Sequence, residues 1–203
     1  MNEGNLVLEL IKEIDQLWEP VYPYLARHIE ELYGRREGTV LEIGPFVGVI
    51  FSLMKEDIGS RFVIASFPSG MGAFFMEQAK GAGASDTIEV VDTDPSLIDI
   101  EEKSVDLAVF RGAFFFPSLF DADLGAVCRV LKPGGLAFVG GGFGKYTPDS
   151  VILNLGKRSR DLNLQLGKVE ISEQMLRRQI AEGRITAHAE VIDEGGLWVV
   201  IKK

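Results

Sequence analysis

From residue 39 onward the chain alternates short apolar runs with helical stretches, and this alternation restricts the fold more than any other feature. The runs lie near 39–43, 61–65, 87–91, 105–110 and 135–140. Each is too short for a buried helix and is bounded by turn-forming residues, so each reads as a strand. Stretches with helical spacing separate them near 47–57, 70–82, 96–101 and 121–131. Strands that alternate with helices imply a parallel sheet covered on both faces. The loops at the carboxyl ends of those strands then form one binding crevice.

The ends of the chain add to this frame. Leu6, Leu10, Ile14 and Leu17 give residues 3–18 an amphipathic helix. Pro20 and Pro23 interrupt it, and a second helix over 24–33 ends at Gly34. These helices precede the first strand and serve as packing helices or as a lid or floor for a pocket. Helices near 148–165 and 172–182 follow the fifth strand. The chain closes with ITAHAEVIDEGGLWVVIKK, where Asp193-Glu194-Gly195-Gly196 is a tight turn between two antiparallel strands. The expectation is one domain over 1–203, with a helical cap at 1–36 and an α/β core at 37–203.

Composition narrows the function classes. With 46% apolar and 25% charged residues, the chain has the balance of a globular protein. A net charge of −9 argues against a broad nucleic-acid footprint, which needs clustered Lys and Arg. Cys128 is the single cysteine, so neither an intrachain disulfide nor a cysteine zinc cluster can form, and a reducing cytoplasm is the expected location. No apolar run approaches the roughly 18 residues of a membrane span, and the acidic N-terminus does not resemble a signal peptide.

Between the first strand and helix lies VLEIGPFVGV, residues 40–49. An apolar run leads into Glu42, then Gly44 and Gly48, with Phe46 where a second turn glycine would be expected. Glycines here let the backbone turn sharply and approach a ligand, while N–H groups of the helix point at it. Taken alone, the pattern also suits a merely structural turn.

The rest of the chain sharpens the reading. VLEIGPFVG, FMEQAK, VDLAVFRGAFFF and CRVLKPGGLAFVGGG, in this order and spacing, resemble the class I S-adenosylmethionine-dependent methyltransferases over roughly residues 39–145. RVLKPGG is the sharpest element, with Pro133 expected to stop a helix and Gly134-Gly135 to reverse the chain. The resemblance implies an α/β, Rossmann-like three-layer sandwich with a mostly parallel seven-stranded sheet and an antiparallel C-terminal hairpin strand. It implies S-adenosylmethionine as cofactor and S-adenosylhomocysteine as product. Glu42, Gly44, Pro45, Phe46 and Gly48 would then approach the methionyl part. Asp92, with Thr93 beside it, would meet the adenine amino group, and Asp94 is the neighbouring candidate or, before Pro95, a turn former. Arg111, at the end of the fourth strand, would sit beside the sulfonium and anchor an acid on the cofactor or the acceptor. After the second strand the family usually carries Asp or Glu for the ribose hydroxyls, and Ala65-Ser66 stand here instead. Ser66 can make one such bond but not a bidentate charged pair, a loss of about 1.5–3 kcal/mol.

On the acceptor side the candidates are Arg111, Phe114 of the Phe114-Phe115-Phe116 run, Phe143, Lys145 and Tyr146, with no catalytic role assigned to any. Gly140, Gly141, Gly142 and Gly144 are expected to bring the backbone close to the pocket mouth. LGKRSRDLNLQLGK places Lys157, Arg158, Arg160 and Lys168 on a basic-sided helix, either a solvated face or a cap over an anionic substrate. His28 and His188 read as structural, and no spacing suggests a metal site. Methyl transfer to a small-molecule acceptor, anionic in one reading, is the expected function, with no nucleic acid or membrane partner. A homodimer is compatible with such a chain. Two other readings stay open at this level: an inactive methyltransferase-like binding or regulatory protein, and a dinucleotide-dependent oxidoreductase of the same broad architecture.

Overall fold

A computed structural model describes residues 3–183 and 185–203. Seven strands form one sheet: β1 (Thr39–Ile43), β2 (Arg61–Ser66), β3 (Ile88–Asp92), β4 (Val105–Arg111), β5 (Leu131–Gly142), β6 (His188–Ile192) and β7 (Gly196–Lys202). Their order is β3-β2-β1-β4-β5-β7-β6. Every pair among β1 to β5 is parallel, while β7 runs antiparallel to both β5 and β6. The helices are α1 (Glu3–Trp18), α2 (Tyr22–Tyr33), α3 (Val49–Lys55), α4 (Met71–Gly81), α5 (Leu124–Val130), α6 (Asp149–Gln165) and α7 (Glu173–Glu182). Among the described residues no helix is long and apolar enough to cross a membrane.

The central strands are continuous apolar runs because helices cover them on both faces. Val40, Leu41 and Ile43 of β1 are buried, as are Val105 and Leu107 through Phe110 of β4. From β1 the chain moves outward to β2 and β3, then crosses back to place β4 on the other side of β1. Right-handed crossovers in opposite directions put the intervening helices on opposite faces and open a crevice at the carboxyl ends of β1 and β4. The two N-terminal helices belong to the same core. Ile11 and Ile14 of α1 and Leu25 and Ile29 of α2 are buried with the sheet residues, α2 beside α3 and α1 against α6.

Two local expectations need correction. Residues 96–101 form turns rather than a helix. Asp94 accepts hydrogen bonds from the backbone N–H (2.7 Å) and hydroxyl (2.5 Å) of Ser96, an Asx-type turn that competes with helix formation. Leu97 then takes φ 52°, outside the helical region. The segment Lys132–Gly135 does not separate helix from strand either. The helix stops at Val130, Leu131 is already extended opposite Val105, and the next paired residues are Leu136 and Leu107. The Pro-Gly-Gly stretch is therefore a bulge inside β5. It is held by Gly134 N–H donating to the Lys203 carbonyl (2.6 Å) and Lys203 N–H donating to the Gly135 carbonyl (3.0 Å).

Candidate functional site

β1 delivers Glu42 to the crevice with its side chain fully buried. Its carboxylate accepts from the backbone N–H groups of Gly48 (3.0 Å), Val49 (3.2 Å) and Ile50 (2.8 Å). Glu42 thus satisfies the free donors at the start of α3, which are the groups a helix N-terminus would otherwise offer an anion. Burial pushes its carboxyl up to about 7 against the opposing pull of Arg111 and the Gly48 and Ile50 amides. Gly44 donates to the Ala65 carbonyl at 2.9 Å, and a Cβ there would press on Phe110 and Phe67. Pro45 is buried beside it. A Cβ on Gly48 would fall within the Tyr22 ring. The glycines of this loop are thus required by close packing within the protein. Phe46 turns its ring over Gly112 and against Phe116, ring centroids 4.8 Å apart.

At the ends of β2 and β3, the backbone N–H of Thr93 donates to the Ser66 carbonyl at 3.0 Å. Both side-chain hydroxyls, Ser66 Oγ and Thr93 Oγ1, are buried without a hydrogen-bond partner. Such groups are uncommon in a folded interior and suit a polar ligand atom. Asp92 is exposed, with its carboxylate against Gly72 of α4, where a Cβ would collide with it. Phe67, Phe110 and Phe120 pack together between these strand ends and α5, with centroids 5.4–5.9 Å apart.

Arg111, the last residue of β4, is buried under α1. Its guanidinium donates to Tyr22 Oη (2.7 Å) and lies 3.4 Å from the Asp15 carboxylate, while Nε has no partner. Tyr22 also donates to Asp15 at 2.6 Å, and Gln78 donates to it at 3.1 Å. Burial raises the Asp15 carboxyl to about 6, with Arg111, Tyr22 and Gln78 pulling the other way. Arg111 is therefore committed in part to an internal acid.

A cavity of about 820 Å³ opens at the carboxyl ends of β4 and β5 beneath α1 and α6, within the usual range for small-molecule sites. Ile14 and Trp18 come from α1, Phe46 from the first loop, Arg111 from the end of β4 with Gly112, Phe115 and Phe116 in the loop after it, and Gly141 and Gly142 from β5 with Phe143 just beyond. Trp18 and Phe143 stack at 4.8 Å and 2°. α6, kinked at Gly156, supplies Ile152, Gly156, Ser159, Arg160 and Asn163, with Lys157, Lys168 and Glu170 at the edge. Trp18 Nε1 and Asn163 both donate to Ser159 Oγ, at 3.0 and 3.2 Å, which ties α1 to α6 across the cavity.

Of the residues expected at the site, Phe46, Arg111 and Phe143 meet in this cavity. Glu42, Gly44, Pro45, Gly48, Ser66, Asp92 and Thr93 form the adjoining strand ends and do not line it. Gly48 lines a smaller recess of about 380 Å³ with Tyr22 and Gln78. Phe114 is in the core, and its neighbours Phe115 and Phe116 face the cavity instead. Lys145 and Tyr146 do not reach the cavity. Both bind Glu31 of α2, Lys145 at 2.9 Å and Tyr146 by donating its hydroxyl, so they hold the cap helix to the loop after β5. The glycine run also differs from expectation. A Cβ on Gly140 or Gly142 would strike the backbone of β7, so these glycines serve mainly the close approach of two strands.

Residues that pattern reading missed are Trp18, Asp15 and Tyr22. Asp15 carried a signal, because an acid on the apolar stripe of Ile11, Ile14 and Trp18 must be buried with a partner.

Residues 41–139 match the family described as "Methyltransferase domain". No curated protein matches the chain by sequence. Among solved structures, a candidate S-adenosyl-L-methionine-dependent methyltransferase from Methanococcus maripaludis is 27% identical, with a TM-score of 0.74 over 95% of this chain and 91% of its own. A SAM-dependent methyltransferase from Aquifex aeolicus shares the fold at 15% identity, a TM-score of 0.60 and 96% coverage of both chains. Geranyl diphosphate C-methyltransferase from Streptomyces coelicolor, solved with S-adenosyl-L-homocysteine, shares it at 15% identity and a TM-score of 0.59, covering 87% of this chain and 76% of its own. With the matched span running from β1 into β5 and the seventh strand inserted antiparallel, the chain carries a methyltransferase-domain match within the fold of the class I S-adenosylmethionine-dependent methyltransferases.

Proposed function

We propose that this protein transfers the methyl group of S-adenosylmethionine to a small molecule held in the cavity between α1, α6 and the ends of β4 and β5. The observation that carries this reading is the cavity itself: it is of ligand size and walled by Phe46 and Gly112 at the switch point of the sheet. The unpartnered hydroxyls of Ser66 and Thr93, two strand ends away, fit the polar edge of a bound nucleoside. When bound, S-adenosylmethionine supplies an already activated methyl group, so the task left to the chain is to hold the acceptor in line and exclude water. Aromatic walls from four parts of the chain exclude water, and the Arg111 Nε–H remains to orient an oxygen of the ligand. The cavity walls hold no histidine among the described residues. A cytoplasmic location belongs to the same reading, supported by the single, unpaired cysteine.

Calorimetric titration with S-adenosylmethionine and S-adenosylhomocysteine tests it. Saturable micromolar binding of both is expected, and none up to millimolar concentration overturns the reading. Ser66→Ala and Thr93→Val sharpen the test. Removing an unpartnered hydroxyl leaves the apo melting temperature unchanged or slightly raised, whereas each change weakens S-adenosylhomocysteine by about fivefold, the equivalent of one hydrogen bond.

A further inference from the structure

Cations are distributed unevenly on this acidic chain. With a net charge of −9, most Lys and Arg side chains find a carboxylate: Lys12 with Glu9, Arg61 with Glu89, Lys132 with Asp106, Arg177 with Glu173. On α6, Arg158 turns away from the cavity and pairs with Glu13 of α1. Lys157, Arg160 and Lys168 have no ion-pair partner among the described residues, and all three border the 820 Å³ cavity. One carboxylate, Glu170, shares that border. Lys168 additionally lies 5.2 Å from the Phe115 ring centroid, so its charge is held over the aromatic wall.

Deeper in the cavity the character changes. Ile14, Trp18, Phe46, Phe116 and Phe143 make an apolar lining, and Arg111, the one cation there among the described residues, is already faced by Asp15. The site thus has an apolar interior, a neutralised inner charge and an uncompensated cationic border. A ligand complementary to this has an apolar body and an anionic head, the body desolvated among the rings and the head left at the wet edge, where charge costs little to bind. A neutral apolar ligand would leave the border charges unused, and a cationic one would be repelled by them.

We infer that the acceptor is an apolar or aromatic molecule carrying a carboxylate or phosphate head, held by Lys157, Arg160 and Lys168 at the cavity mouth with its body between the Trp18–Phe143 pair and Phe46–Phe116. The inference rests on the methyltransferase reading of the same cavity and adds the chemical class of its substrate.

The test uses four probes with one chain length: decanoate, decyl phosphate, decan-1-ol and decyltrimethylammonium. Binding is followed by the fluorescence of Trp18, which lines the cavity, with S-adenosylhomocysteine affinity measured in parallel by calorimetry. One or both anions should bind at least about tenfold tighter than the alcohol and the ammonium. The preferred anion distinguishes a carboxylate from a phosphate head. The triple variant K157E/R160E/K168E should lose that preference while keeping its S-adenosylhomocysteine affinity and melting temperature. Equal binding of decanol and decanoate, or full anion binding by the triple variant, overturns the inference. If the wild type binds S-adenosylhomocysteine but neither anion, the acceptor class is wrong and the methyltransferase reading stands. If it binds no S-adenosylhomocysteine, that reading fails on its own.

Discussion

Glu42 illustrates how a motif residue acquires its role from its surroundings. In the sequence it is the acid at the head of a glycine loop. In the fold its carboxylate accepts from three backbone amides at the start of α3. Glu42→Ala would leave those buried donors unsatisfied, at a cost of about 1–3 kcal/mol, read as a fall in the urea midpoint. Asp15 and Arg111 make the second case. Both are buried, so Asp15→Ala strands an uncompensated cation and should cost about 3–5 kcal/mol. Breaking the exposed pair by Arg158→Ala should cost less than about 1 kcal/mol. Near-equal destabilisation by the two changes would show that the internal network is not what fixes α1 over the crevice. The Asp15–Arg111 partnership could not be read from local sequence, because 96 positions separate the two.

The elements themselves were far more legible. Hydrophobic period and turn residues act within a few positions, and the strands, the amphipathic helices and the terminal hairpin follow from them. The failures occurred where a local polar contact or a distant strand intervened: the Asx turn at Asp94 replaced a helix, and pairing with β4 and Lys203 drew Leu131 onward into β5. The glycines after β5 are a third instance. Their density was visible, but its cause is the β5–β7 contact, which only the assembled sheet contains. Gly142→Ala would drive a methyl group into the Gly196 backbone, at positive φ (148°), and should destabilise by more than about 2 kcal/mol. Gly81→Ala is the control: nothing lies within 4 Å of its Cβ at the end of α4, and helix propensity alone should stabilise it by about 0.5–1 kcal/mol. Thermal melts of the two variants should therefore move in opposite directions.

For the molecule as a whole, two buried carboxyls set a pH dependence. Asp15 is raised to about 6 and Glu42 to about 7, in both cases chiefly by burial. Between the ordinary carboxylate range near 4 and these values, the native protein holds protons that the unfolded chain has released. The stability these groups contribute is therefore full below about pH 4 and is lost as pH rises through 6 and 7. Urea midpoints at pH 5 and pH 7 should fall more steeply for the wild type than for Asp15→Asn/Glu42→Gln, and parallel curves would sink the assignment. By itself the sequence determined the sheet, the covering helices, the methyltransferase resemblance and the place of the crevice, because period, turn chemistry and motif spacing are properties of adjacent residues. The tertiary structure alone decided which acids are consumed inside the protein, which hydroxyls are left without partners and which cations face the cavity. Those outcomes depend on burial and on neighbours brought together from distant parts of the chain.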